Sequence, residues 1–231
     1  MVNLPLEELL FDRYFNDPAS PMRCVVIADG TTMSATKGDQ AIAFVKSLTS
    51  RNTDKLIFNG VKFFADDSFL SLGMVMHDPG YTDGRQGIFI TPPDKVVEMW
   101  RPWWEAGLQI HVHTNGNGGN LATINALAGL MSLEPRVDHR FTLTHYGMST
   151  PEMARRLARL GGVASVNPYY LYYRSEFNAP YVGSIAPGKF ADFAVLDRNP
   201  YVVPKEEIRE IKVWGTVVGG RVFPASEIRP R

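Results

Sequence analysis

The sequence predicts an α/β fold built on a parallel sheet and followed by a small all-β segment. Three observations predict it. Short apolar runs alternate with amphipathic stretches of helical length from about residue 23 to about residue 167, the order in which helical crossovers join parallel strands. Two of the apolar runs, LQIHVH and RFTLTH, end on histidine, at His113 and His145. Beyond about residue 180 the helical period stops, and short β-rich runs (DFAVL, KVWGTVVGG, RVF) alternate with Gly and Pro.

Each element follows from its residues. The opening MVNLPLEELLFDRYF reads as a short helix ending near Asn16, Asp17 and Pro18. RCVVIA at 23–28 reads as a buried strand, and Asp29-Gly30 as the turn after it. Residues 38–50 place Ala41, Phe44, Val45 and Leu48 on one helical face. KLIFNGVKFFA at 55–65 is a β-rich run broken by Asn59-Gly60. Residues 66–93 form a long irregular stretch rich in Gly and Pro, a length that points to a functional or a disordered loop. A helix from Asp94 ends at Gly107, before the strand at 108–113. Residues 119–132 are helical and 140–145 a strand; Thr150-Pro151-Glu152 opens a helix that closes at Gly161-Gly162, and VASVN at 163–167 is a strand. The domain expectation is an α/β part over residues 1–180 and a β segment over 181–231.

Composition narrows the function. The chain has 231 residues, with 24 Lys plus Arg against 24 Asp plus Glu. A net charge of zero and the absence of any Lys/Arg run argue against a nucleic-acid or membrane-surface binder. No apolar stretch approaches the roughly 18 residues of a membrane span, and the N-terminus lacks the pattern of a signal peptide. The single cysteine, Cys24, excludes an intrachain disulfide and reads as a buried strand residue. A cytoplasmic location is the expectation. There is no GxGxxG after a strand, no Walker A sequence, no GxSxG elbow and no Cys-rich zinc motif.

The chemistry sits with the histidines. His113 and His145 close successive strands, and in parallel α/β folds sites lie at the C-terminal strand ends. Two neutral imidazoles at one level can share a metal ion. Lys62, inside the apolar run GVKFFADDS, is either a functional amine or a lysine that snorkels from a strand edge. His111 is read as packing on the face opposite His113, His139 as a surface or supporting residue, and His77 as facing substrate or solvent from its loop. Asp66 and Asp67 either orient a ligand or cap a turn. Asn115, in the Asn-Gly-Asn turn after His113, lies where backbone can approach a ligand. Tyr169, with Tyr170, Tyr172 and Tyr173, is either a pocket wall or packing.

In order along the chain, GVKFFADDS, QIHVHTNG, DHRFTLTHYGMSTPE, SVNP and GSIAPGKFADFAVLDRNP resemble the amidohydrolase superfamily. They are most similar to its amidohydrolase-3, YtcJ-like branch, which includes N-substituted formamide deformylases. The resemblance implies a partial (β/α)₈ TIM-like barrel with a small C-terminal β-sandwich segment and one or two divalent ions, zinc first, with iron, manganese or nickel as alternatives. His113 matches the fifth-strand histidine ligand and His145 the sixth-strand one. Lys62 matches the fourth-strand lysine, which the family can carbamylate into an anionic ligand. The same resemblance places an HxH pair on the first strand and a catalytic Asp on the eighth, and neither matches here; the seventh and eighth strands are expected to be missing. The implied activity is hydrolysis of a non-peptide C–N bond, amide or N-formyl, in a small molecule. The substrate-side expectation covers Asp66, Asp67, His77, Asn115 and Tyr169. The second expectation is an inactive amidohydrolase fragment that binds or self-associates, because unpaired strand edges seek partners.

Overall fold

A computed structural model describes residues 11–17, 23–77, 80–166, 193–199, 202–204, 207, 210–218 and 221–224. The tyrosine cluster with Tyr169, most of the GSIAPGKFADFAVLD run and residues 1–10 lie outside them. The chain divides into two compact units, Met1–Tyr172 and Tyr173–Arg231.

The first unit is an arc of five parallel strands in the order of the chain: β1 (Cys24–Asp29), β2 (Leu56–Phe64), β3 (Ile110–Thr114), β4 (Thr142–His145) and β5 (Val163–Val166). Helices α1 (Gly30–Lys37), α2 (Ala41–Leu48), α3 (Val96–Glu105), α4 (Asn117–Leu133) and α5 (Pro151–Arg159) connect them. This is part of a (β/α)₈ arrangement. By the resemblance, which counts β3 and β4 as fifth and sixth, β5 holds the seventh place. The expectation of a missing seventh strand is therefore corrected: VASV pairs parallel to β4 from Thr142↔Val163 to His145↔Val166.

Alternation along the strands sorts the two faces. Val61, Phe63, Ile110, Val112 and Leu143 point outward and are buried with the helices. There Trp100 and Trp103 of α3 lie against Phe63 with ring centroids 5.6 and 5.9 Å apart, and the Trp104 indole N–H donates to the Glu134 carbonyl. These large rings fasten α3 to the sheet. On the inner face most side chains are half-buried or exposed, with Val25 at 56% and Val163 at 43%.

Three local readings change. Asn59-Gly60 does not break the strand. It forms a bulge at which the β1–β2 register shifts, and Gly60 supplies the positive φ of 75°. Asp29 is more than a turn residue: its carboxylate accepts from the Thr32 N–H and caps α1, a helix that the sequence reading missed. The third is His111, which shares the strand face of His113 two residues on. As expected, Thr150 caps α5, accepting from the Met153 N–H with Pro151 in the first turn.

The second unit contains a three-stranded antiparallel sheet, β6 (Phe193–Leu196), β7 (Val213–Val218) and β8 (Arg221–Pro224). Among the described residues no helix is long and apolar enough to cross a membrane.

Candidate functional site

An open cleft of about 310 Å³ lies on the inner face of the arc, lined by Val25, Ile27, Lys62, Phe64, His113, Thr144 and His145. The strand periodicity builds most of it. Lys62 and Phe64 stand two residues apart on β2, and Phe64 is in register with His113, which is in register with Thr144. His145 is different. Strict alternation would send it outward after the buried Leu143. Its φ of 78° turns it inward instead, and its ring meets that of His113 at a centroid distance of 4.5 Å and 73°. A positive φ at a non-glycine residue stores strain that the surroundings must hold, and such strain collects at functional sites.

His111 occupies the same face as His113, because residues two apart on a strand point the same way. The expectation that it packs on the opposite face is corrected. It is in register with Lys62, and its Nε2 is buried without a hydrogen-bond partner.

The electrostatics follow from a half-dry cleft that holds a cation. Burial lowers Lys62 to about 8. Burial, then the charges of His113 and Lys62, lowers His145 to about 4. His111 falls to about 4 for burial first and Lys62 second. Burial and then Lys62 lower His113, against the opposing pull of the Asp67 carbonyl. All three imidazoles are therefore neutral near pH 7, the form that ligates metal.

His113 Nε2 lies 2.9 Å from the Asn115 side-chain nitrogen, which also donates to the Asp67 carbonyl at 3.1 Å. Asn115 is fully buried and does not line the cleft. Neither does Asp66, whose oxygens are occupied by main-chain donors: Oδ1 accepts from Asn115 N–H, and Oδ2 from Val75 and Gly116 N–H, at 2.8–2.9 Å. It is a clasp that ties the 66–77 segment to the turn after β3. Burial raises it to about 6 despite those donors. The clasp is close-fitting, since a Cβ on Gly119 would strike the Asp66 carboxylate and one on Gly116 the Val75 backbone. Asp67 Oδ1 accepts from Ser68 N–H. His77 is exposed, and its main-chain N–H donates to the Asn117 side chain. His139 is structural: Nδ1 accepts from Phe141 N–H, and Nε2 pairs with the Leu160 carbonyl. The structure thus brings Lys62, His113 and His145 together in one cleft and leaves Asp66, Asp67, His77 and Asn115 off its lining. The sequence reading gave Asp66 no clasp and Asn115 no imidazole partner. Asn115 at two residues from His113 was the only available signal.

Parallel strands with outer helices, and an inner cleft at the strand ends bearing histidines, define part of a (β/α)-barrel with its candidate site where such barrels carry theirs. The chain belongs to the amidohydrolase family, whose family model matches residues 11–180 and 177–224. It is 27% identical over 130 residues to Protein LONG AFTER FAR-RED 3 of Arabidopsis thaliana, a match covering 56% of this chain and 22% of that protein. Its fold is similar to crystal structures of two uncharacterized metal-dependent hydrolases. The one from Pyrococcus furiosus has a TM-score of 0.58 at 17% identity, covering 77% of this chain and 35% of that one. The one from Pyrococcus horikoshii has a TM-score of 0.52 at 14% identity, covering 77% and 38%. The chain spans about a fifth of the curated relative's length and little more than a third of each solved structure's.

Proposed function

We propose that this chain carries part of a divalent-metal site of a hydrolase that cleaves a non-peptide C–N bond, of amide or N-formyl type, in a small molecule. The observation that carries the reading is the edge-to-face pair of neutral imidazoles, His113 and His145, at 4.5 Å in a cleft they share with Lys62. The donor set fits an ion. Two imidazoles at this separation can reach one centre at the ordinary metal–nitrogen length of about 2.0–2.1 Å. Among the described residues no group of three or more His, Cys, Asp or Glu side chains could hold a metal, so a third donor from those residues falls to Lys62. As an ammonium, Lys62 repels a cation. With its pKa near 8, an appreciable fraction is free amine, and the amine takes up carbon dioxide: the nitrogen lone pair bonds to carbon, one C=O pair moves to oxygen, and a proton leaves to solvent. The resulting carbamate is an anionic oxygen donor.

A bound divalent ion would supply Lewis acidity, making water nucleophilic near neutral pH and polarising the scissile carbonyl. His113, His145 and the carbamate of Lys62 would hold it, and imidazole ligation suits zinc, iron, manganese or nickel. Phe64, Val25 and Ile27 give the cleft apolar walls for the substrate's substituent.

The experiment is elemental analysis of the purified chain and of its His113→Ala and His145→Ala variants, followed by an amide and N-formyl amide screen of whatever binds metal. Near-stoichiometric metal in the parent that falls in both variants supports the reading. Unchanged metal in both variants sinks the ligand assignment. A metal-free parent with no hydrolysis favours the inactive binding module.

A further inference from the structure

We propose that Asn115 sets the tautomer of His113, keeping its proton on Nδ1, and thereby holds down the affinity of that imidazole for a divalent ion. The inference rests on the reading above that His113 is a ligand.

The Asn115 side-chain nitrogen can only donate. It stands 2.9 Å from His113 Nε2 and 3.1 Å from the Asp67 carbonyl oxygen. Turning the amide over would bring Oδ1 against that carbonyl oxygen, lone pair to lone pair, so the Asp67 contact fixes which end faces the imidazole. Asn115 Oδ1 is itself buried without a partner; the two contacts through nitrogen therefore decide the orientation. Facing a donor, Nε2 must accept. A neutral imidazole that accepts at Nε2 carries its proton on Nδ1.

That tautomer is the wrong one for ligation at either nitrogen. Nδ1 is blocked by its proton, and the Nε2 lone pair is taken by the amide. An ion bound through Nδ1 requires the proton on Nε2. The acceptor for such an Nε2–H is already beside the ring: the Asp67 carbonyl, which favours a protonated ring nitrogen. Carbonyl acceptors of this kind orient ligating histidines generally. The carbonyl can accept twice, so the competition lies at the ring nitrogen: Nε2 cannot carry a proton while it accepts from the amide 2.9 Å away. While the amide donates there the imidazole is closed to an ion, and when Nε2 carries the proton and donates to the carbonyl Nδ1 is open. Asn115 is a positioning residue, since it reaches the ion only through His113.

The test uses the full metal-free chain, labelled with 15N histidine and held at one pH near 7. Long-range proton–nitrogen correlation shows which ring nitrogen of His113 is protonated, and zinc titration gives the affinity. The expected result is Nδ1–H in the parent, Nε2–H in Asn115→Leu, and zinc bound about tenfold more tightly by the variant. A parent that already carries Nε2–H overturns the proposal without any variant. So does an Asn115→Leu protein with the parental tautomer. If the leucine variant fails to fold, adding zinc to the parent still decides: its proton must move from Nδ1 to Nε2 on saturation, and a stationary proton refutes the competition. A parent that takes up no zinc but shows Nδ1–H defeats the hydrolase reading and leaves the tautomer assignment standing.

Discussion

His145 reaches the His113 ring because its backbone leaves the strand geometry: at φ 78° its side chain turns inward, where regular alternation would have placed it behind Leu143 among the helices. The pairing of the two imidazoles is thus held by backbone strain that the fold must offset.

Replacing His145 separates that strain from the proposed ligation. Glycine adopts positive φ freely, whereas alanine does not. His145→Gly is expected to be about 1 kcal/mol more stable than His145→Ala, although both lose the imidazole. Urea unfolding of the pair measures the difference. Equal stability would mean that residue 145 relaxes to ordinary strand geometry once the ring is gone.

The Asp66 clasp gives a second prediction. Asp66→Asn replaces one of the two oxygens with a donor that faces main-chain N–H groups, leaving buried donors unmatched at a cost of about 1–3 kcal/mol. The pH dependence follows from the raised pKa. The folded value of about 6 lies above the ordinary 3.8, so the folded state binds the proton more strongly. Stability from this group is full below pH 3.8 and is lost as pH rises through about 6. The parent's stability relative to Asp66→Asn should therefore decline between pH 4 and 6. Parallel stability curves for the two proteins across that window would refute the assignment.

Lys62 runs the other way. Its folded pKa, about 8, lies below the ordinary 10.5, so the unfolded chain binds the proton more strongly, and the penalty of the buried ammonium fades as pH rises from 8 towards 10.5. Lys62→Met is expected to exceed the parent in stability at pH 7 and to lose that advantage by about pH 10.5. Bicarbonate during metal loading should raise the metal content of the parent and leave the variant unaffected. A parent indifferent to bicarbonate argues against a carbamate ligand.

Gly116→Ala tests how closely the loop is seated. The backbone φ of −74° at Gly116 suits any residue, so the whole cost is the clash of the new Cβ with the Val75 backbone. The expected loss is about 3 kcal/mol, the upper part of the usual overpacking range, with faster proteolysis in the 66–77 segment. An unchanged unfolding midpoint would show that the segment shifts away freely.

Much of this was legible in the residues. The outward-facing Val61, Phe63, Ile110 and Val112 announce buried strands, and His113 and His145 announce a site by standing at strand ends. Helix α1 was hidden because only Gly30 and Met33 of its residues are buried, too few to imprint a helical period. His111 was misplaced by an error of parity, since a two-residue step keeps the face. The Asp66 clasp was out of reach for a deeper reason: its partners are main-chain N–H groups of Val75, Asn115 and Gly116, which every residue but proline possesses and no side-chain pattern marks.

The separations in that clasp, nine residues to Val75 and 49 and 50 to Asn115 and Gly116, also bear on the order of folding. A loop of about fifty residues carries an entropic charge that its contacts recover only after both ends are in place. The clasp is therefore expected to close after the rate-limiting step, once β2 and β3 have paired. Weakening it at Asp66 should leave the refolding rate nearly untouched and accelerate unfolding, a split that a chevron plot of Asp66→Asn would expose; a slowed refolding arm would place the clasp in the nucleus instead.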